Sequence, residues 1–182
     1  MRTRRSVLAS MLLFSLLLPT TAVPAEEISD AEFVRRMRQF FFDVTPEQAN
    51  IKPTDEHRMV FCVVMDWPFR GVKSTLASLS DGTASLYVDK GVKIIGGYAA
   101  AKSAKAFVHE SERNLMYSVL TDDHPYPSTD KVRFYIRTFT ELRVIEEPVS
   151  LLLTEKSKFN LLFAAANQVI SELLAAAEKA KE

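Results

Sequence analysis

The chain has 182 residues, 47% of them hydrophobic, with 23 basic and 23 acidic side chains. That content excludes a disordered polypeptide and suits one domain with a proper core. Balanced charge removes the electrostatic case for a nucleic-acid or anionic-lipid partner.

Residues 1–25 read as an export signal. Arg2, Arg4 and Arg5 form a positive start, Val7 to Leu18 an apolar stretch, and Val23-Pro24-Ala25 a small-residue exit. The apolar run is short for a bilayer span. The expectation is cleavage after Ala25, a periplasmic or secreted protein, and no integral span thereafter. Thr3-Arg4-Arg5-Ser6-Val7-Leu8 also resembles a twin-arginine signal, so both export routes stay open. The signal holds three basic and no acidic residues, which leaves the remainder slightly negative. Cys62 is the single cysteine, so no internal disulfide forms.

The remainder divides into an N-terminal helix and connection over 26–57 and one α+β domain over 58–182. Ser29-Asp30-Ala31-Glu32 is a capping box, which starts a helix running to about Asp43. Phe33, Met37, Phe40, Phe41 and Val44 form its apolar stripe. Arg35, Arg36 and Arg38 fall mainly on the other side, as a solvated face or a surface for an acidic partner. Met59 to Met65 is a continuous apolar run, which reads as a strand covered on both faces. Asp66-Trp67-Pro68-Phe69-Arg70-Gly71 breaks that run, and Val72 to Ser80 forms the next strand.

Asp81-Gly82 predicts a two-residue hairpin. It sets Ser80 opposite Thr83 and Ser78 opposite Ser85. Leu79 with Ala84 and Ala77 with Leu86 then share the other face. Asp89-Lys90-Gly91 predicts a three-residue loop, with Gly91 left-handed, Val88 opposite Val92 and Leu86 opposite Ile94. One face is thus apolar and the other carries hydroxyls. Gly96-Gly97 ends this segment, and a long helix over Tyr98 to Leu120 follows. Val132, Phe134 and Ile136 alternate with polar neighbours as a half-exposed strand, paired with Leu142 to Ile145. Pro148 to Thr154 is ambiguous. A final helix covers Lys156 to Lys179. The order predicts an α+β fold: an antiparallel sheet of about five to six strands, flanked by N-terminal, central and C-terminal helices.

Asp81-Gly82-Thr83-Ala84-Ser85-Leu86-Tyr87, then Gly91-Val92-Lys93-Ile94-Ile95-Gly96-Gly97, resembles an uncharacterised bacterial family with this double hairpin. Phe134 to Thr138 and Leu162 to Ile170 are also similar to it. The resemblance implies a fold and no activity. The element order is similar to roadblock and profilin-like domains, which implies a scaffold or dimerising adaptor.

No catalytic sequence motif is present, and no cofactor or metal is expected. His109 and Glu112 share a helix face, and Asp122-Asp123-His124 forms a loop cluster; together they are the residues a metal-dependent hydrolase would use. Trp67 and Phe69 form a binding edge or plug the core. Ser78, Ser80, Thr83 and Ser85 line a ligand cleft or receive the alanine-rich helix. The leading expectation is a non-enzymatic exported module that binds a protein partner or forms a homodimer. A small-ligand or lipid-binding protein built on the Ser/Thr face and the Trp67 loop is the alternative.

Overall fold

The computed structural model describes residues 28–69 and 71–180. The signal assigned to residues 1–25 lies outside them.

Strand β1 (Val60–Phe69) runs through the middle of a seven-stranded antiparallel sheet. Its partners on one side are β2 (Val72–Leu79), β3 (Ala84–Val88) and β4 (Lys93–Gly97) in turn. On the other side lie β6 (Lys131–Thr138), β7 (Leu142–Pro148) and the two-residue β5 (Val119–Leu120), which forms the far edge. Helix α1 (Asp30–Asp43) covers one face. Helices α2 (Ala101–Arg113) and α4 (Asn160–Lys179) cover the other, and the short α3 (Val149–Leu152) follows β7. The fold is α+β, with seven strands where five to six were expected.

Coverage on both faces explains the unbroken apolar run of β1. Val63 and Met65 pack with Phe107 of α2 and Leu162, Ala166 and Val169 of α4. Phe61, Cys62 and Val64 pack under Val34 and Phe41 of α1. A half-buried strand would alternate; one sandwiched between helices need not. By length and composition α4 is also apolar enough to cross a bilayer. Here its inward stripe, Leu162, Ala166, Val169 and Leu173, is buried in the domain core.

Four expectations are corrected. The segment Asp66–Phe69 continues β1 instead of breaking it, pairing with Thr75, Ser74, Lys73 and Val72. Pro68 is tolerated because the β6 ladder ends at Asp66, so no partner there requires its missing N–H. The Tyr98 to Leu120 helix stops at Arg113. There the Asn114 side chain turns back to the Glu110 carbonyl at 2.8 Å, a 3₁₀ turn follows, and Val119 and Leu120 pair with β7 as an edge strand. The final helix begins at Asn160, later than Lys156.

The fourth correction concerns register. The first turn is a three-residue loop, Ser80-Asp81-Gly82, closed by the Leu79 N–H to the Thr83 carbonyl at 2.8 Å. Only Gly82 is left-handed (φ 98°), where a type I′ turn needs positive φ at both central residues. The Asp81 carboxylate accepts from the Thr83 N–H and hydroxyl, which holds the three-residue loop. Gly82 also lies against α2: a Cβ there would meet the Ala101 Cβ at 3.1 Å. Pairing therefore slips by one residue, to Ser78 with Ala84, Ala77 with Ser85 and Leu76 with Leu86. A one-residue slip exchanges faces. The second turn keeps the expected register, Leu86 with Ile94 and Val88 with Val92.

Candidate functional site: a buried ion pair, two clefts and an apolar edge

The slipped register dissolves the proposed hydroxyl face. Ser78 now lies on the α2 side and Ser85 on the α1 side, and both are buried. Ser85 accepts from the Gly96 N–H at 2.8 Å. Ser80 and Thr83 belong to the turn. These four side chains do not line one cleft.

Trp67 is half-buried, edge-on to Phe163 of α4 at 5.3 Å between ring centroids. It forms a wall of an apolar cleft of about 360 Å³, with Val72, Leu86, Val88, Ile170 and Leu174. Packing against α4 and lining a cleft are thus combined in one ring. Phe69 pairs with Val72 at the end of β1.

The two histidine clusters sit on opposite sides of the sheet. His109 on α2 has its Nδ1 3.3 Å from the Glu56 carbonyl and its ring 6.2 Å from His57. Glu112, three residues on, accepts the backbone N–H groups of Arg58, Met59 and Val60 at 3.1–3.3 Å, so its carboxylate anchors the start of β1. His124 instead stacks on Phe42 of α1 at 4.0 Å and reaches the Gln39 side chain. The hydrolase constellation of His109, Glu112, Asp123 and His124 is not assembled. Among the described residues no three His, Cys, Asp or Glu side chains converge as a metal site.

The main polar centre lies beneath α1. Asp66 is fully buried, and its carboxylate accepts from Arg38 at 2.6–2.8 Å and from the Thr75 hydroxyl at 2.7 Å. Burial pushes the Asp66 carboxyl above its ordinary range, while Arg38 and Thr75 pull it back. Arg38 also donates to the His124 carbonyl and lies over the rings of Phe42, Tyr126 and Tyr135. The Tyr126 phenol donates to the Ser74 carbonyl, and burial beside Asp66 raises it above its usual value. A cleft of about 470 Å³ opens next to this centre, lined by Arg35, Arg38, Lys73, Thr75, Asp89 and Tyr126. Its charges are mixed, since Glu32 lies beside Arg35 and Asp66 beneath Arg38.

Arg38 thus departs from the solvated face assigned to it, whereas Arg35 and Arg36 stay outside on Glu32. At the other end of α1, Arg137 donates to the carbonyls of Phe41 and Val44 and caps the helix. Two arginines therefore clamp α1 to the sheet. The available signal was Asp66 itself, a lone acid at the end of a run buried on both sides, which requires a cation from somewhere.

A surface that sequence reasoning placed inside a helix is exposed. On the turn after α2 and on β5, Met116, Tyr117, Val119 and Leu120 are 78%, 47%, 62% and 63% exposed. Tyr117 lies 6.3 Å from the Phe159 ring and carries the Lys158 ammonium 4.1 Å above it, which joins this patch to the start of α4. Comparison with family models, curated proteins and solved structures gives no match to this chain.

Proposed function

We propose that the protein is an exported, non-catalytic module that associates with a second copy of itself through the β5 edge. The observation that carries this is the exposure of four large apolar side chains within residues 116–120: Met116 and Tyr117 on the 3₁₀ turn, and Val119 and Leu120 on the outermost strand of the sheet. Clustered apolar exposure marks an interaction surface, and an edge strand offers unpaired backbone groups to another strand. A two-fold axis beside β5 sets Val119 and Leu120 of one copy against the same residues of the other, an isologous contact. The four side chains are uncharged, so no like-charge repulsion opposes it. The nearby Arg143 is already occupied by Glu141 and by the Ser118 hydroxyl and carbonyl.

The non-catalytic reading is supported by where three of the perturbed groups spend their bonds. Asp66 is held by Arg38 and Thr75, Tyr126 by the Ser74 carbonyl, and Glu146 by Lys131 and Arg133. Each is tied into the scaffold. Export rests on the charge and hydropathy pattern of residues 1–25.

Sedimentation velocity tests the association. The purified protein is expected to run as a dimer at micromolar concentration. Leu120→Lys should weaken the dimer roughly a hundredfold, on the order of 3 kcal/mol, since two ammonium groups then face each other. Its thermal midpoint as a monomer should hardly move, because Leu120 is largely exposed. A wild-type protein that stays monomeric across that range rejects the proposal.

A further inference from the structure

We propose that the cleft between α4 and strands β2–β4 binds a medium-length acyl chain that ends in a carboxylate. The cleft lies toward the β4 side of the sheet, away from β5, so this inference stands independently of self-association. Its volume of about 360 Å³ falls at the low end for ligand sites. Val72, Leu86 and Val88 supply the sheet wall, Ile170 and Leu174 the helix wall, and Trp67 a flat aromatic surface between them. Val92 closes the β4 side. Such a lining rewards a flexible apolar chain, and the small volume limits its length.

Two polar side chains complete the lining. The Ser74 hydroxyl is committed to the Trp67 carbonyl at 2.5 Å. Among the described residues that leaves the Lys90 ammonium as the charge on the cleft, 3.4 Å from the Gly71 carbonyl in a long bond that an anion displaces. Among the described residues no carboxylate lines the cleft. Asp89, next in sequence, turns the other way: it accepts from the Lys73 N–H at 3.1 Å and lines the cleft beneath α1. One cation beside an apolar slot selects a single negative head group on an apolar tail.

Trp67 is the only tryptophan, so its emission reports occupancy of its own wall. Full-length purified protein is titrated with octanoate, decanoate and decanol at low salt. The expected result is a saturable emission change, with affinity rising about fourfold per added methylene until the cleft is full. Decanoate should bind up to about fivefold tighter than decanol, and Lys90→Gln should erase that difference while decanol binding persists. Leu174→Glu, on the partly exposed face of α4, should abolish binding of both without loss of helical signal. The inference is overturned if no carboxylate gives a saturable change, if decanol and decanoate bind alike to the wild type, or if only anionic vesicles elicit a response.

Discussion

Replacing Arg38 with methionine is expected to cost about 3–5 kcal/mol of folding stability at pH 7, because it strands a buried carboxylate. Asp66 is fully buried and the Arg38 side chain is only 14% exposed. Methionine keeps the packing over Phe42 and Tyr126 but removes the charge. Thr75 then supplies the one side-chain hydrogen bond left among those Asp66 makes. The sign with pH follows from burial, which already lifts the Asp66 carboxyl above the ordinary aspartate value. Without Arg38 it rises further. A group whose folded pKa is raised confers stability at low pH that is lost as pH rises from the unfolded value through the folded one. The deficit of Arg38→Met relative to wild type should therefore be large at pH 7 and shrink steadily toward pH 4. Asp66→Asn in the same chain should recover most of it, since the amide is neutral and can still accept from Thr75. Urea unfolding of the single and double variants at the two pH values measures this. An equal deficit at both would mean that packing, not charge, is what Arg38 contributes.

Phe107→Ala is expected to cost about 3–5 kcal/mol, independent of pH. Phe107 is fully buried at the centre of α2, edge-on to Phe134 of β6 with ring centroids 6.3 Å apart. It joins helix to sheet, and α4 fills the remaining space through Leu162 and Val169. Close packing on all sides leaves little room to collapse around the cavity. Phe107→Leu should lose roughly 1–2 kcal/mol, the transfer term for the smaller side chain. Denaturant melts at pH 7 and pH 4 separate this loss from that of Arg38→Met, because no titratable partner is involved.

Most of the architecture was legible because its signals are local. The capping box at Ser29 does place α1: Ser29 accepts from the Glu32 N–H, and Glu32 turns to Arg35 and Arg36. The alternation of β6 also needed only its own spacing, whereas the α1 stripe was right at Phe33, Met37, Phe41 and Val44 but not at Phe40, which is 51% exposed while Val34 is buried instead. The failures share a cause, which is a tertiary contact deciding between two local solutions. Asp81-Gly82 fits a two-residue or a three-residue turn equally well. The Asp81 bonds to Thr83 and the seating of Gly82 on Ala101 select the latter. That single residue exchanged the two faces and dispersed Ser78, Ser80, Thr83 and Ser85. Val119 and Leu120 carry helix-compatible neighbours, and only β7 makes them a strand. The Trp67 cleft was half-visible: the ring was singled out, but its walls come from β2, β3, the β3–β4 loop and α4, most of them distant in sequence. The Arg38–Asp66 pair, 28 residues apart, left no periodic trace at all.

Cysteine cross-linking at β5 tests the association most directly. Cys62 is buried and burial pushes its thiol up to about 12, so it stays unreactive near neutrality. Val119→Cys then supplies the one accessible thiol, within the proposed β5 contact. Ile95→Cys, 59% exposed on the opposite edge strand β4, is the control. Under mild oxidation Val119→Cys should form a covalent dimer within minutes at micromolar protein, and Ile95→Cys should not. A Val119→Cys protein that remains monomeric, or an Ile95→Cys protein that cross-links as fast, would contradict self-association through β5.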